Sequence, residues 1–191
     1  MEEIKYKDYT IEIEQDENPQ NPREEFDNAT TMICFHRRYN LGDKHDFRHQ
    51  DYNGWNEMEK AIIREYKDVM IIRPLFLLDH SGITISTNAF GDPWDSGQVG
   101  FILMTKQSVR KCYGVKRILS EINRKAEQLL QAEVETYDQY LRGEVYGYSV
   151  KDLDGDEVAA CWGYFGYDHE QSGLMDAARS VIDFELKNEK V

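Results

Sequence analysis

Three apolar runs in the middle of the chain, Leu75–Leu78, Ile83–Thr87 and Val99–Met104, are separated by two polar, glycine-bearing connections. β-Branched and aromatic residues bounded by Gly, Pro, Asp and Ser predict strands and turns, here an antiparallel meander. Its connections, Asp79-His80-Ser81-Gly82 and Gly91-Asp92-Pro93-Trp94-Asp95-Ser96-Gly97, hold most of the ionisable and hydroxyl groups of the stretch. Connections on a rigid sheet are where binding and catalytic residues tend to sit.

Upstream, Tyr9, Ile11 and Ile13 alternate with Thr10, Glu12 and Glu14, which predicts one strand over Tyr6–Glu14 with a wet face. Gln15–Asn28 reads as a polar loop. Thr31–Arg37 predicts a strand with apolar residues on both faces, and therefore a central one. Arg38–Asn53 is irregular. Gly54–Lys67 predicts a helix with Trp55, Met58, Ile62 and Ile63 near one face, which Asn53 can cap. Val69–Ile72 and Leu75–Leu78 form a strand interrupted by Pro74, which implies an edge or a bulge.

Gln107–Tyr113 and Val115–Arg142 read as helices stopped by Gly114 and Gly143. Glu144–Lys151 and Val158–Tyr167 read as a hairpin around Asp154-Gly155, and Ser172–Lys187 as a closing helix. The sum is an α+β fold in one domain over residues 1–191: a largely antiparallel sheet of six to seven strands with three to four helices packed on it.

Composition narrows the partners. The net charge of −13 argues against nonspecific binding to duplex DNA through a general basic surface. The charge is uneven. Residues 1–30 carry ten acidic and three basic side chains, 126–191 carry fifteen and five, and 106–125 carry seven basic side chains against Glu121. The acidic excess serves solubility or docks onto a basic partner. The basic segment, with Lys111 and Arg117, tracks a phosphate backbone or offsets the acidic faces around it. Three scattered cysteines, Cys34, Cys112 and Cys161, suit a reducing cytoplasm and lack zinc spacing. The N-terminal Met1-Glu2-Glu3 start gives no secretion signal, and no apolar run reaches membrane-spanning length.

The candidate chemistry lies at strand ends. His36 and His80 are the pair expected to act as general base and acid in metal-free RNA cleavage, if their strands are neighbours. Asp79 and Asp95 are the accompanying carboxylates. Arg37, Arg38 or Lys44 would stabilise the phosphate, with Ser81, Trp94 and Ser96 as further binding groups. The competing reading makes Asp79, Ser81, Asp95 and Ser96 turn residues, and Trp94 a core residue. A magnesium site built from Asp27, Asp79 and Asp95, with Glu133, has no support from spacing. No cofactor is expected.

The blocks FDNATTMICFHRRYNLGD (Phe26–Asp43), LFLLDHSGITI (Leu75–Ile85), WDSGQVGFI (Trp94–Ile102), YDQYLRGEVYGY (Tyr137–Tyr148) and CWGYFG (Cys161–Gly166) carry a resemblance. The chain resembles a family of small acidic proteins encoded by phages, plasmids and conjugative elements of Gram-positive bacteria. That resemblance implies an anti-defence, anti-CRISPR-like inhibitor whose partner is a host CRISPR effector protein or its guide RNA. A stand-alone phosphodiesterase or nucleotide hydrolase and a non-catalytic interaction module are the alternatives.

Overall fold

The computed structural model describes residues 2–188. In chain order the elements are β1 (Glu2–Tyr6), β2 (Tyr9–Gln15), α1 (Pro22–Glu25), β3 (Thr31–Cys34), α2 (Trp55–Tyr66), β4 (Val69–Asp79) and β5 (Ile83–Ser86). Then follow β6 (Ser96–Thr105), α3 (Lys106–Tyr113), α4 (Ser120–Leu141), β7 (Val145–Lys151), β8 (Glu157–Phe165) and α5 (Leu174–Asn188). The fold is α+β, with two four-stranded antiparallel sheets where the sequence predicts one. Where one domain is expected, the chain divides into two compact units, Met1–Gln20 with Arg142–Val191, and Asn21–Leu141. Among the described residues no helix is long and apolar enough to cross a membrane.

The first unit has sheet order β1-β2-β7-β8. The strand expected over Tyr6–Glu14 is β2, and the structure adds β1 before it as a hairpin partner, with the turn at Lys7, whose φ is 56°. Tyr9, Ile11 and Ile13 of β2 and Tyr148 and Val150 of β7 face Leu174, Met175, Ala178 and Ile182 of α5. The period of two on the strands thus meets the helical period of α5 in one core. The hairpin between β7 and β8 is as expected: the Asp152 carboxylate accepts the backbone N–H groups of Asp154 and Asp156 at 3.0 and 2.9 Å.

The second unit has order β3-β6-β4-β5. Met32, Cys34, Leu75, Ile102 and Met104 pack with Ala126, Leu130, Val134 and Tyr137 of α4. Ile33, Phe101 and Leu103 pack with Met58 and Ile62 of α2. Helices cover both faces, which corrects the reading of β3: its two apolar faces reflect two helical layers, and the strand lies at the sheet edge. The meander is also corrected. β6 returns to the far side of β4 instead of pairing with β5, so β4 and β6 are the central strands. Pro74 is tolerated in β4 because β5 pairs only with Phe76–Asp79, and a bulge follows at Leu75/Phe76.

Gly100 is required where β6 meets β3. A Cβ there would lie 1.9 Å from the Ile33 carbonyl oxygen. The neighbour is backbone and cannot rotate away. Gly100→Ala is expected to destabilise the protein by at least about 1–3 kcal/mol, read from the urea midpoint.

A polar clasp fastens the loop before β3. Arg23 is only 7% exposed. Its Nε and Nη2 donate to the two Asp43 carboxylate oxygens at 2.8 and 2.6 Å, its Nη1 to Glu133 Oε2 at 3.1 Å, and its Nη2 to the Thr30 carbonyl at 3.0 Å. Glu133 also accepts the Ala29 N–H at 2.8 Å and the Thr30 hydroxyl. Glu133 therefore belongs to this clasp, and among the described residues no cluster of three His, Cys, Asp or Glu is set to hold a metal ion.

Candidate functional site

Three strand ends of the second unit meet. β3 runs on through Phe35, whose N–H donates to the Val99 carbonyl at 2.7 Å, and delivers His36, Arg37 and Arg38. The Asp79 N–H at the end of β4 donates to the Asp95 carbonyl, just before β6, at 2.8 Å. A cleft of about 340 Å³ results, lined by His36, Arg37, Arg38, Leu77, Asp79, Trp94, Asp95, Ser96, Gly97 and Val99. Seven of the residues singled out from the sequence line it: His36, Arg37, Arg38, Asp79, Trp94, Asp95 and Ser96.

His80 stands at its rim. Its Nδ1 is 2.8 Å from Asp95 Oδ2, and its side chain is 68% exposed. The hydrogen bond donated to Asp95, then the carboxylate charge, raises the His80 pKa above its ordinary value. With Nδ1–H donated to Asp95, Nε2 is left to accept a proton, the arrangement of an oriented general base.

His36 is built differently. Its Nδ1 accepts the backbone N–H groups of Arg38 and Tyr39 at 3.3 and 3.2 Å, and its ring stacks on Tyr39 at 4.9 Å. Partial burial lowers its pKa; Asp79 opposes this, and Arg38 and Arg37 add to it. A lone pair held by two donors fixes the neutral tautomer with hydrogen on Nε2. His36 is thus arranged as a neutral hydrogen-bond donor, and the two imidazoles have different environments.

Asp79 forms an ion pair with Arg38, so that guanidinium is positioned and neutralised. Arg37 forms no ion pair among the described residues and is exposed. The Ser96 hydroxyl donates to the Asp92 carbonyl, and the Asp92 carboxylate accepts the N–H groups of Trp94 and Asp95 at 2.8 and 3.2 Å. Those two amides lower the Asp92 pKa. This turn pushes Trp94 outward to 92% exposure, which sets aside a core role for it. Ser81 takes φ 56° at the exposed tip of the β4–β5 hairpin and does not line the cleft.

A second cleft of about 640 Å³ shares His36, Arg37 and Val99 with the first. Phe35, Tyr39, His49 and Trp55 give it aromatic walls. Phe35 and Trp55 lie 6.2 Å apart, and His49 sits edge-on to Trp55 at 5.0 Å. His45 fixes the strand leading in, since its Nε2–H donates to the Cys34 carbonyl at 3.0 Å. The Cys34 thiol is pushed up to about 12 by burial, then by Asp43, and stays neutral. His45, His49 and Trp55 were not among the residues expected at the site. Their signal was the concentration of aromatic and histidine residues within the irregular stretch and the helix after it.

The remaining basic residues expected to bind lie elsewhere in this unit. Arg117 lines a separate groove at the start of α4, and Lys111, exposed on α3, does not line it. No family model matches the chain, and neither a curated protein nor a solved structure matches it.

Proposed function

We propose that this protein binds single-stranded RNA across the paired clefts and cleaves it through the 2′-hydroxyl, without a metal. The observation that carries the reading is one cleft lined by an unpaired guanidinium, Arg37, an oriented imidazole, His36, and an indole with 92% of its surface free, Trp94. Single-stranded nucleic acids are held by exposed aromatic faces beside cationic groups. The larger cleft has the volume and aromatic lining for a base.

The roles divide by hydrogen bonding. His80 Nε2 removes the 2′-hydroxyl proton, and Asp95 holds the ring and stabilises the resulting imidazolium. The 2′-oxygen attacks phosphorus, the bond to the 5′-oxygen breaks, and that oxygen takes a proton from water. His36 Nε2–H and Arg37 bind the phosphoryl oxygens where negative charge gathers. Asp79 positions Arg38 and has no part in proton transfer.

The anti-defence role implied by the resemblance supplies a source for the RNA, the guide of a host CRISPR effector, and the net charge of −13 supplies a means of docking onto the effector's basic channel. Mixing protein, effector and guide and resolving the RNA on a denaturing gel tests this. Shortened guide supports cleavage, and intact guide with blocked DNA cutting supports occlusion alone.

Binding is tested separately with a labelled oligoribonucleotide whose 2′-positions are methylated and cannot react. Trp94→Ala is expected to weaken it by about 1–3 kcal/mol, the worth of one stacked base. Unchanged affinity would remove the cleft as the place where RNA binds.

A further inference from the structure

We infer that the groove between α3 and the start of α4 is a second phosphate-binding subsite for the same RNA strand. The inference rests on the RNA reading above. Lys106, Arg110, Lys116 and Arg117 line this groove, whose volume is about 590 Å³. No carboxylate lines it, and none of the four side chains forms an ion pair among the described residues. In a chain of net charge −13, four cations without a carboxylate partner share one groove. Two other cations, by contrast, have carboxylate partners: Lys125 is paired with Glu121 at 2.9 Å and Arg73 with Glu127 at 2.9 Å.

The local sequence explains the arrangement. Gly114 adopts φ 63° and ends α3 in a left-handed cap, with its N–H donating to the Arg110 carbonyl. The chain then crosses Val115–Leu119 without regular structure before α4 begins at Ser120. That crossing sets Lys116 and Arg117 in one groove with Lys106 and Arg110 of α3. Ile118 and Leu119 add an apolar wall, and Leu119 is 67% exposed. Cations with an adjoining apolar face suit a nucleotide, whose phosphate and base need both.

Position supports one strand serving both sites. β6 begins at Ser96, in the cleft, and is followed directly by Lys106, in the groove. Ten residues of strand span about 33 Å, so the subsite is reached only by RNA several nucleotides long.

The test uses the whole protein and labelled, 2′-O-methylated RNA, so that binding is read without chemistry. For single strands each phosphate contact adds about 0.7 to the slope of log affinity against log salt, so Lys116→Gln with Arg117→Gln is expected to lower it by about 1.4. Binding of a dinucleotide is expected to be unchanged. Both residues are exposed, and an unchanged thermal midpoint verifies that the variant folds.

An unchanged slope with the longer RNA overturns the subsite. If Trp94→Ala weakens binding at the same time, the cleft stands without the groove. If the groove variant lowers the slope and Trp94→Ala does nothing, the subsite stands and the cleft reading fails. Poly-glutamate binding as tightly as RNA at equal salt would assign the groove to an acidic peptide and overturn the inference.

Discussion

Arg23→Met is expected to cost about 3–5 kcal/mol, the loss seen when one partner of a buried ion pair is removed. The change deletes a guanidinium that donates to Asp43, Glu133 and the Thr30 carbonyl in a site where the Arg23 side chain is 1% exposed. Glu133 and Asp43 are left with a mostly covered negative charge and no cation. The guanidinium is held fully charged: burial works against it, but hydrogen bonds and charge from Asp43, with Glu133, raise its pKa. Urea unfolding measures the effect. A loss below about 1 kcal/mol, the range of an exposed pair, would mean that water reaches the clasp. The clasp also ties α1 and the loop before β3 to α4, so the variant is expected to loosen the strand that carries His36.

His80→Ala is expected to lower RNA cleavage by roughly 10²–10⁴-fold, the usual worth of a positioned general base, with RNA affinity nearly unchanged. The pH dependence gives the sharper test. His80 acts as a base only when neutral, and Asp95 raises its pKa above 6.5. Activity should therefore rise with pH through a midpoint above 6.5. In Asp95→Asn the midpoint should move to lower pH while the plateau rate falls, because the carboxylate that favours imidazolium is gone. The linked stability has the opposite direction. A raised folded-state pKa contributes stability below the unfolded value near 6.5 that is lost as pH rises through the folded one. His36 should titrate below 6.5 in the same protein, which histidine NMR reads directly. A rising limb that ignores Asp95→Asn would remove His80 as the base.

Much of this site was legible because strand ends have few places to go. The runs around Leu75–Leu78 and Val99–Met104 fix β4 and β6, and their pairing brings Asp79 against Asp95. The run from Thr31 delivers His36 to the same end of the sheet. The division of roles was not legible. It depends on the backbone at Arg38 and Tyr39 turning two N–H groups onto one imidazole nitrogen, and no side-chain pattern encodes that. His80 finds Asp95, not His36, because the pairing follows turn geometry.

The helices α2, α3 and α5 and the β7–β8 hairpin followed from periodicity and from Gly signals. Three features did not. β1 lies in a charged stretch with only Ile4 and Tyr6 as apolar positions, and the turn at Lys7 carries no Gly or Pro. α4 begins five residues later than its pattern suggests, since Val115–Leu119 cross the groove. Arg23 lies in a stretch whose prolines and acids read as a polar loop, yet Asn21 caps a short helix there and the arginine turns inward.

Thr10 pairs with Lys151, so β2 waits for a partner made about 140 residues later. Everything from Asn21 to Leu141 leaves the ribosome before that partner does and forms one contiguous compact unit. Once closed, it would act as a staple that holds the distant halves of the other sheet near each other and shortens the search between them. Lesions in the inserted body would then delay assembly of the sheet formed by the two flanking segments, although they alter none of its residues.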